Sequence, residues 1–151
     1  MKIQQLSIFS ENKPGHMMGP CRILAEAGID IRALSLADTQ HFGILRLIVS
    51  DWQQAKNLLE RGGYVVKVTE VLMVEVPDRP GGLAEVLELF RGMRINIEYM
   101  YAFPFGREGQ AVLVFRFDQP DAAMARLQAC GIKVLDTTFL EPQPASTEPR
   151  P

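Results

Sequence analysis

Cysteine is scarce in this chain. Cys21 and Cys130 are the only two in 151 residues, they stand far apart, and they sit in no metal-ligand spacing. That argues against a thiolate metal site or a disulfide-dense scaffold and is read as a reduced, cytoplasmic protein, with one disulfide as the open alternative. Positive charge is not in excess either. Sixteen Lys and Arg against eighteen Asp and Glu give a formal net charge of −2, with no basic block, so no nucleic-acid partner is expected. No apolar run approaches the length of a bilayer span, and no membrane partner is expected. The opening MKIQQLSIFS holds one Lys and no long apolar core, unlike a signal peptide.

Catalytic vocabulary is equally thin. No Ser/His/Asp or Cys/His grouping clusters in a turn, and no paired carboxylates frame a cleft. Metal-ligand spacings and a phosphate-cradling glycine loop are missing as well. The expectation is a protein that is not an enzyme and carries no metal and no cofactor. What is present is an ordinary globular composition, 47% hydrophobic and 23% charged, long enough for one medium domain or two small ones.

The informative stretch is used twice. Residues 10–31 read SENKPGHMMGPCRILAEAGIDI and residues 76–97 read VPDRPGGLAEVLELFRGMRINI, so Pro14-Gly15 recurs as Pro80-Gly81, 66 residues later. Ile29-Asp30-Ile31 recurs at the same offset as Ile95-Asn96-Ile97. Each copy reads as a strand end, a polar turn closed by Pro-Gly, an amphipathic helix, and a strand opening Ile-Asx-Ile. Such a turn presents backbone N–H groups at a helix N-terminus, where a carboxylate can be held without a basic side chain.

In order, alternation predicts a strand over 2–10 and a helix over 15–27 with Met17, Cys21, Leu24 and Ala25 inward. Gly19-Pro20 interrupts that helix: either Pro20 opens it with Gly19 as N-cap, or its first turn is distorted. Strands follow at 29–37 and 43–50. Ser50 with Gln53 reads as a capping box for a helix over 52–61, then a strand at 64–69. The second half restarts with a strand at 71–76 and a helix over 82–92 whose stripe is Leu83, Val86, Leu87 and Phe90. Strands at 95–103 and 110–117, a helix from 120 and a strand at 132–135 complete it. The hairpin loop of the second copy is two residues longer, since Leu45 and Leu47 fall on Leu113 and Phe115 at an offset of 68. Residues 141–151, EPQPASTEPRP, have no apolar period and are read as a disordered tail.

The fold class is therefore α+β: two ferredoxin-like βαββαβ repeats, at 1–69 and 70–140, each an antiparallel four-stranded sheet with both helices on one face. The other face carries Ile44, Arg46 and Ile48 in one half and Val112, Val114 and Arg116 in the other. That apolar surface and the free sheet edges predict pairing, side by side or face to face, between halves or between chains.

The doubled pattern, E-N-K-P-G-H with A-E-A-G-I-D-I and P-D-R-P-G-G-L with R-I-N-I, resembles the ACT domain over residues 2–140. The resemblance implies a stand-alone tandem pair from a family that binds amino acids and regulates metabolic enzymes. It implies a free amino acid as ligand at the module interface near the Pro-Gly turns, a homodimer, and a regulated enzyme as partner. The implied ligand-binding residues are Ser10, Asn12, Lys13, Pro14, Gly15, His16, Met17 and Asp30 in the first copy. In the second they are Asp78, Arg79, Pro80, Gly81, Gly82, Leu83 and Asn96. Val76 replaces the polar residue that matches Ser10, which makes the second site the poorer. A rival reading takes the turns as structural and the chain as a protein-binding scaffold without a ligand; Asn12 and Asp78 would then bond their own turns. The aromatic series Tyr99, Tyr101, Phe103 and Phe105 either walls a pocket or packs an interface.

Overall fold

The computed structural model describes residues 1–142, so the expected tail lies, from residue 143 onward, outside the described residues. Seven strands and four α-helices follow the doubled pattern: β1 (Ile3–Glu11), α1 (Met18–Glu26), β2 (Ile31–Asp38), β3 (Phe42–Val49), α2 (Trp52–Arg61), β4 (Val65–Pro77), α3 (Gly82–Glu88), β5 (Ile97–Ala102), β6 (Gln110–Phe117), α4 (Pro120–Ala129) and β7 (Val134–Leu135). A short 3-10 turn, Thr137–Leu140, comes last.

The expected strands at 64–69 and 71–76 are one continuous strand, β4. Nothing in Val65–Pro77 breaks it: the run is rich in valine and holds no glycine or asparagine. β4 serves both halves. Val65–Val71 pair with β1, whereas Leu72–Pro77 pair with β6, and Met73 and Val74 also take β7. The strand order is thus β4-β1-β3-β2 in the first half and β7-β4-β6-β5 in the second. The two orders are equivalent, as two ferredoxin-like repeats require.

Each half has its own core between sheet and helices. In the first, Leu6, Ile8, Leu45, Leu47 and Val49 meet Leu24, Ala55 and Leu59. In the second, Leu72, Val74, Val76, Phe115 and Phe117 meet Val86, Phe90, Ala123 and Leu127. A third core joins the halves face to face. Ile3, Ile48, Val71 and Met73 pack on Phe103, Val112, Val114, Leu135 and Phe139, and Ile48 and Val114 are completely buried. The open sheet faces therefore cover one another within the chain. Tyr99 and Tyr101 reach this seam, where Gln5 donates to the Tyr99 hydroxyl at 2.8 Å and accepts from that of Tyr101 at 2.8 Å.

Local details correct several expectations. α1 begins at Met18, and Pro20 is its third residue, within the first turn, where a backbone N–H has no intrahelical partner to lose. Ala25, expected inward, is exposed. The N-cap of α2 is Asp51, whose carboxylate accepts from Gln54 N at 3.0 Å; Ser50 is otherwise engaged. α3 stops at Glu88 and tightens into i→i−3 bonds from Leu89, Phe90 and Arg91.

Candidate functional site

The first Pro-Gly turn leaves β1 at Glu11 and enters α1. Gly15 takes φ +80°, a conformation that favours glycine. Lys13 O accepts from His16 N at 3.2 Å and from the His16 ring Nδ1 at 2.6 Å. His16 Nε2 is then turned inward and buried without a partner; a Cβ added to Gly43 would lie 3.2 Å from it. Asn12 bonds neither its own turn nor open solvent alone. Its N–H donates to His41 O at 3.1 Å and its Nδ2 reaches Thr39 O at 3.5 Å, tying the turn to the β2–β3 loop. Ser10 stands opposite Gly43 in the β1–β3 ladder.

These residues open on a cleft of about 280 Å³ lined by Ser10, Glu11, Lys13, His16 and Tyr64. Few helix N–H groups serve it. Met18 N donates to Gly15 O at 3.1 Å and Cys21 N to Met17 O at 3.4 Å, while Pro20 has no N–H. Among the first helical residues only Gly19 keeps a free amide. Gly19 itself lies beneath the Tyr64 hydroxyl, 2.0 Å from where a Cβ would stand.

The second turn is built alike and filled differently. Asp78 N donates to Gly109 O at 2.9 Å and Gly82 N to Arg79 O at 3.0 Å, leaving the amides of Leu83 and Ala84 free of backbone partners. Gly81 takes φ +84° next to Pro80. Arg79 and Glu85 form a bidentate pair at 2.7 and 2.8 Å. Its hydrogen bonds hold the Glu85 carboxyl below its ordinary range and raise the guanidinium's pKa. The basic side chain of this turn is thereby committed to a carboxylate of its own helix.

Asp30 and Asn96 do not share these turns. Asp30 N donates to Ser50 Oγ at 3.1 Å and Ser50 N to Asp30 O at 3.0 Å. Asn96 N donates to Asp118 Oδ1 at 2.8 Å and Asp118 N to Asn96 O at 3.1 Å. The equivalent closures confirm the equivalence of the positions. They also place both residues at the far end of the sheet. Ser10 faces Gly43 and Ile31 faces Val49, six residues along β3 and roughly 20 Å away at about 3.3 Å per residue. Asp30, bonded to Arg32 at 3.0 Å, instead lines a cleft of about 450 Å³ with Lys2, Ser50, Trp52, Thr137 and Leu140. Trp52 and Lys2 gave no sign of this in the sequence, because the cleft exists only where the first half meets the C-terminal turn.

No helix among the described residues is long and apolar enough to cross a membrane, and no cluster of His, Cys, Asp or Glu among them could hold a metal ion. A search of curated proteins found no match. Among solved structures, a protein from Bacteroides thetaiotaomicron is 36% identical over 89% of this chain and 92% of its own, with a TM-score of 0.83. The ligand-free regulatory subunit of aspartate kinase from Thermus thermophilus shares the fold at 16% identity, covering 83% of this chain and 91% of its own, with a TM-score of 0.60. The corresponding subunit from Thermus flavus matches at 16% identity, 85% and 92% coverage and a TM-score of 0.57. The profile of the ACT domain pair matches residues 1–136. With the repeated turns, the shared strand order and that match over nearly the whole described chain, this protein belongs to the ACT domain pair family.

Proposed function

We propose that the chain is a non-catalytic regulatory protein that binds a free amino acid at the first Pro-Gly turn and passes the binding on to a partner enzyme. The observation that carries this reading is the cleft at the first turn. It brings together the Lys13 ammonium and the Ser10 hydroxyl next to the start of α1, where the Gly19 amide is free, a set of donors suited to a carboxylate. Lys13 makes one exposed contact with Glu11 at 3.3 Å, weak enough for a ligand carboxylate to replace. Asn12, whose carboxamide is held only by a 3.5 Å contact to Thr39 O, adds a further side-chain hydrogen bond to the ligand, and Pro14, Gly15, His16 and Met17 shape that turn. The second turn, with Asp78, Arg79, Pro80, Gly81, Gly82 and Leu83, has free amides but is closed by the Arg79–Glu85 pair, so we rank it second. Asp30 and Asn96 serve a ligand at these turns only from a neighbouring module. The division into modules at residues 69 and 70 and a cytoplasmic location belong to the same reading. The rival, a scaffold without ligand, draws support from the bonds that already occupy Asn12 and Arg79.

We further read the protein as a homodimer joined through β2. This strand ends the strand order and exposes Leu34 and Leu36, which are 54% and 48% accessible. Its sequence, Arg-Ala-Leu-Ser-Leu-Ala-Asp over 32–38, is symmetric about Ser35 with opposite charges at its ends. An antiparallel partner centred there sets Leu34 against Leu36 of the partner subunit and Arg32 against Asp38 of the partner subunit, so like charges do not meet.

A thermal-shift screen of the twenty amino acids tests the ligand reading. A ligand at a hundredfold excess over its dissociation constant adds about 2.7 kcal/mol, on the order of 5–10 °C for a chain of this size. A shift with one or a few amino acids is expected. No shift with any of them favours the scaffold.

A further inference from the structure

Away from both turns, a small polar chamber lies between the two sheets. Across the first sheet, Arg46 of β3 and Lys67 of β4 flank Ser7 of β1, each directly opposite it in register. Tyr99 and Arg116, themselves opposed across β5 and β6, cover them from the second half. The chamber measures about 190 Å³ and also takes in Thr69 and Glu98.

Its groups are almost all donors, and several are unused. Arg116 is satisfied: its Nε donates to Glu98 at 3.0 Å and its Nη1 to Glu70 O at 3.1 Å. Arg46 and Lys67 have no ion-pair partner among the described residues. The Arg46 guanidinium lies 3.7 Å over the Tyr99 ring, and its Nε is buried with no hydrogen bond. Ser7 is 5% exposed; its oxygen accepts from Gln5 Nε2 at 3.1 Å, and its proton finds no acceptor among the described residues. Tyr99 supplies none, since its own hydroxyl is turned to Gln5. Buried donors left unpaired are costly, and Arg46 and Lys67, two strand spacings or about 10 Å apart, add two positive charges to one sheet face. Water would satisfy the donors and solvate the exposed Lys67, but would leave the partly buried Arg46 guanidinium without a counter-ion.

We propose that this chamber binds a small oxyanion, the carboxylate or phosphate group of a metabolite, held between Arg46 and Lys67 over the Ser7 hydroxyl. The space equals about six water volumes at roughly 30 Å³ each, enough for phosphate or a short dicarboxylate and too little for a nucleotide. Because its walls come from both halves, the anion strengthens the seam between them. The site is independent of the amino-acid reading above.

The test follows the ¹H–¹⁵N spectrum of the whole chain during titration with inorganic phosphate and, separately, succinate, at constant ionic strength. The expected result is saturable movement of the Ser7 amide and the Arg46 Nε–H signals, with residues 12–18 unmoved. Response to phosphate alone narrows the ligand to phosphate groups, response to succinate alone to carboxylates. Arg46→Gln should abolish binding but also disturbs the stack on Tyr99, so Lys67→Gln decides. Lys67 is exposed and unpaired, and its loss should weaken binding about three- to fivefold, the scale of a partly exposed ion pair. Its anion-free melting temperature should stay level or rise as repulsion is relieved. No saturation by about 20 mM of either anion, well above a millimolar dissociation constant, would overturn the proposal. So would unchanged affinity in Lys67→Gln, or movement confined to residues 12–18.

Discussion

A Cβ on Gly82 would fall 2.0 Å from the Pro77 carbonyl oxygen, and the nearest atoms are backbone, so the second Pro-Gly-Gly turn has no room for alanine. Gly82→Ala should destabilise the fold by about 1–3 kcal/mol, the range for overpacking, as read from urea midpoints. Gly19→Ala meets the free end of the Tyr64 side chain instead and should cost less. Tyr101 supplies a pH dependence. Burial, then the nearby Tyr99, pushes its hydroxyl pKa well above the ordinary value of 10.0. The unfolded chain releases that proton near pH 10 while the folded chain keeps it, so this contribution to stability is full below pH 10 and falls as pH rises beyond it. Tyrosinate absorbance should therefore show one of the three tyrosines ionising only as the protein unfolds, and Tyr101→Phe should remove that step. At this scale the sequence displayed the Pro-Gly turns because their chemistry is local. It hid the bond from Asn12 to Thr39, because the partner is 27 residues away.

Among the elements, α2 was legible to its ends, yet its cap moved by one residue. Ser50 faces Asp30 N, a cross-strand contact that no local motif records, and Asp51 took the capping role. β4 was hidden for another reason: counting by the repeat divided a run that has no turn residue in it. β2, the free edge of the first half, offers a test of the proposed dimer. With Cys21 and Cys130 replaced by serine, Ser35→Cys should oxidise to a covalent dimer, since residues on a two-fold axis between antiparallel strands bring their Cβ atoms to about 4.5–5.5 Å. Leu34→Cys should not, because its opposite number is Leu36 of the partner subunit. Cross-linking at Leu34→Cys in place of Ser35→Cys, or a monomer by sedimentation, would contradict the proposed register.

For the whole molecule, Ile48, Val112 and Val114 marked their sheet faces for burial, and the structure buries them against each other. That they close within one chain was not legible, because pairing between chains would bury the same faces. Lys2 adds a polar clasp to the seam, bonding Glu70 of β4 at 2.9 Å and Asp121 of α4 at 3.0 Å. These two hydrogen bonds raise its pKa. The candidate site was legible only in outline. The resemblance to the ACT domain joined Asp30 to the first turn, whereas the sheet separates them end from end, so a ligand touching both must lie between modules. The most direct measurement is calorimetric titration of the amino acid selected by the screen into the wild type, Asn12→Ala and Asp78→Ala. Loss of one hydrogen bond to a charged ligand group costs about 1.5–3 kcal/mol, so Asn12→Ala should weaken binding by roughly tenfold or more, and Asp78→Ala by less. Greater damage from Asp78→Ala would reverse the ranking of the turns, and wild-type affinity in both variants would contradict a ligand site at either.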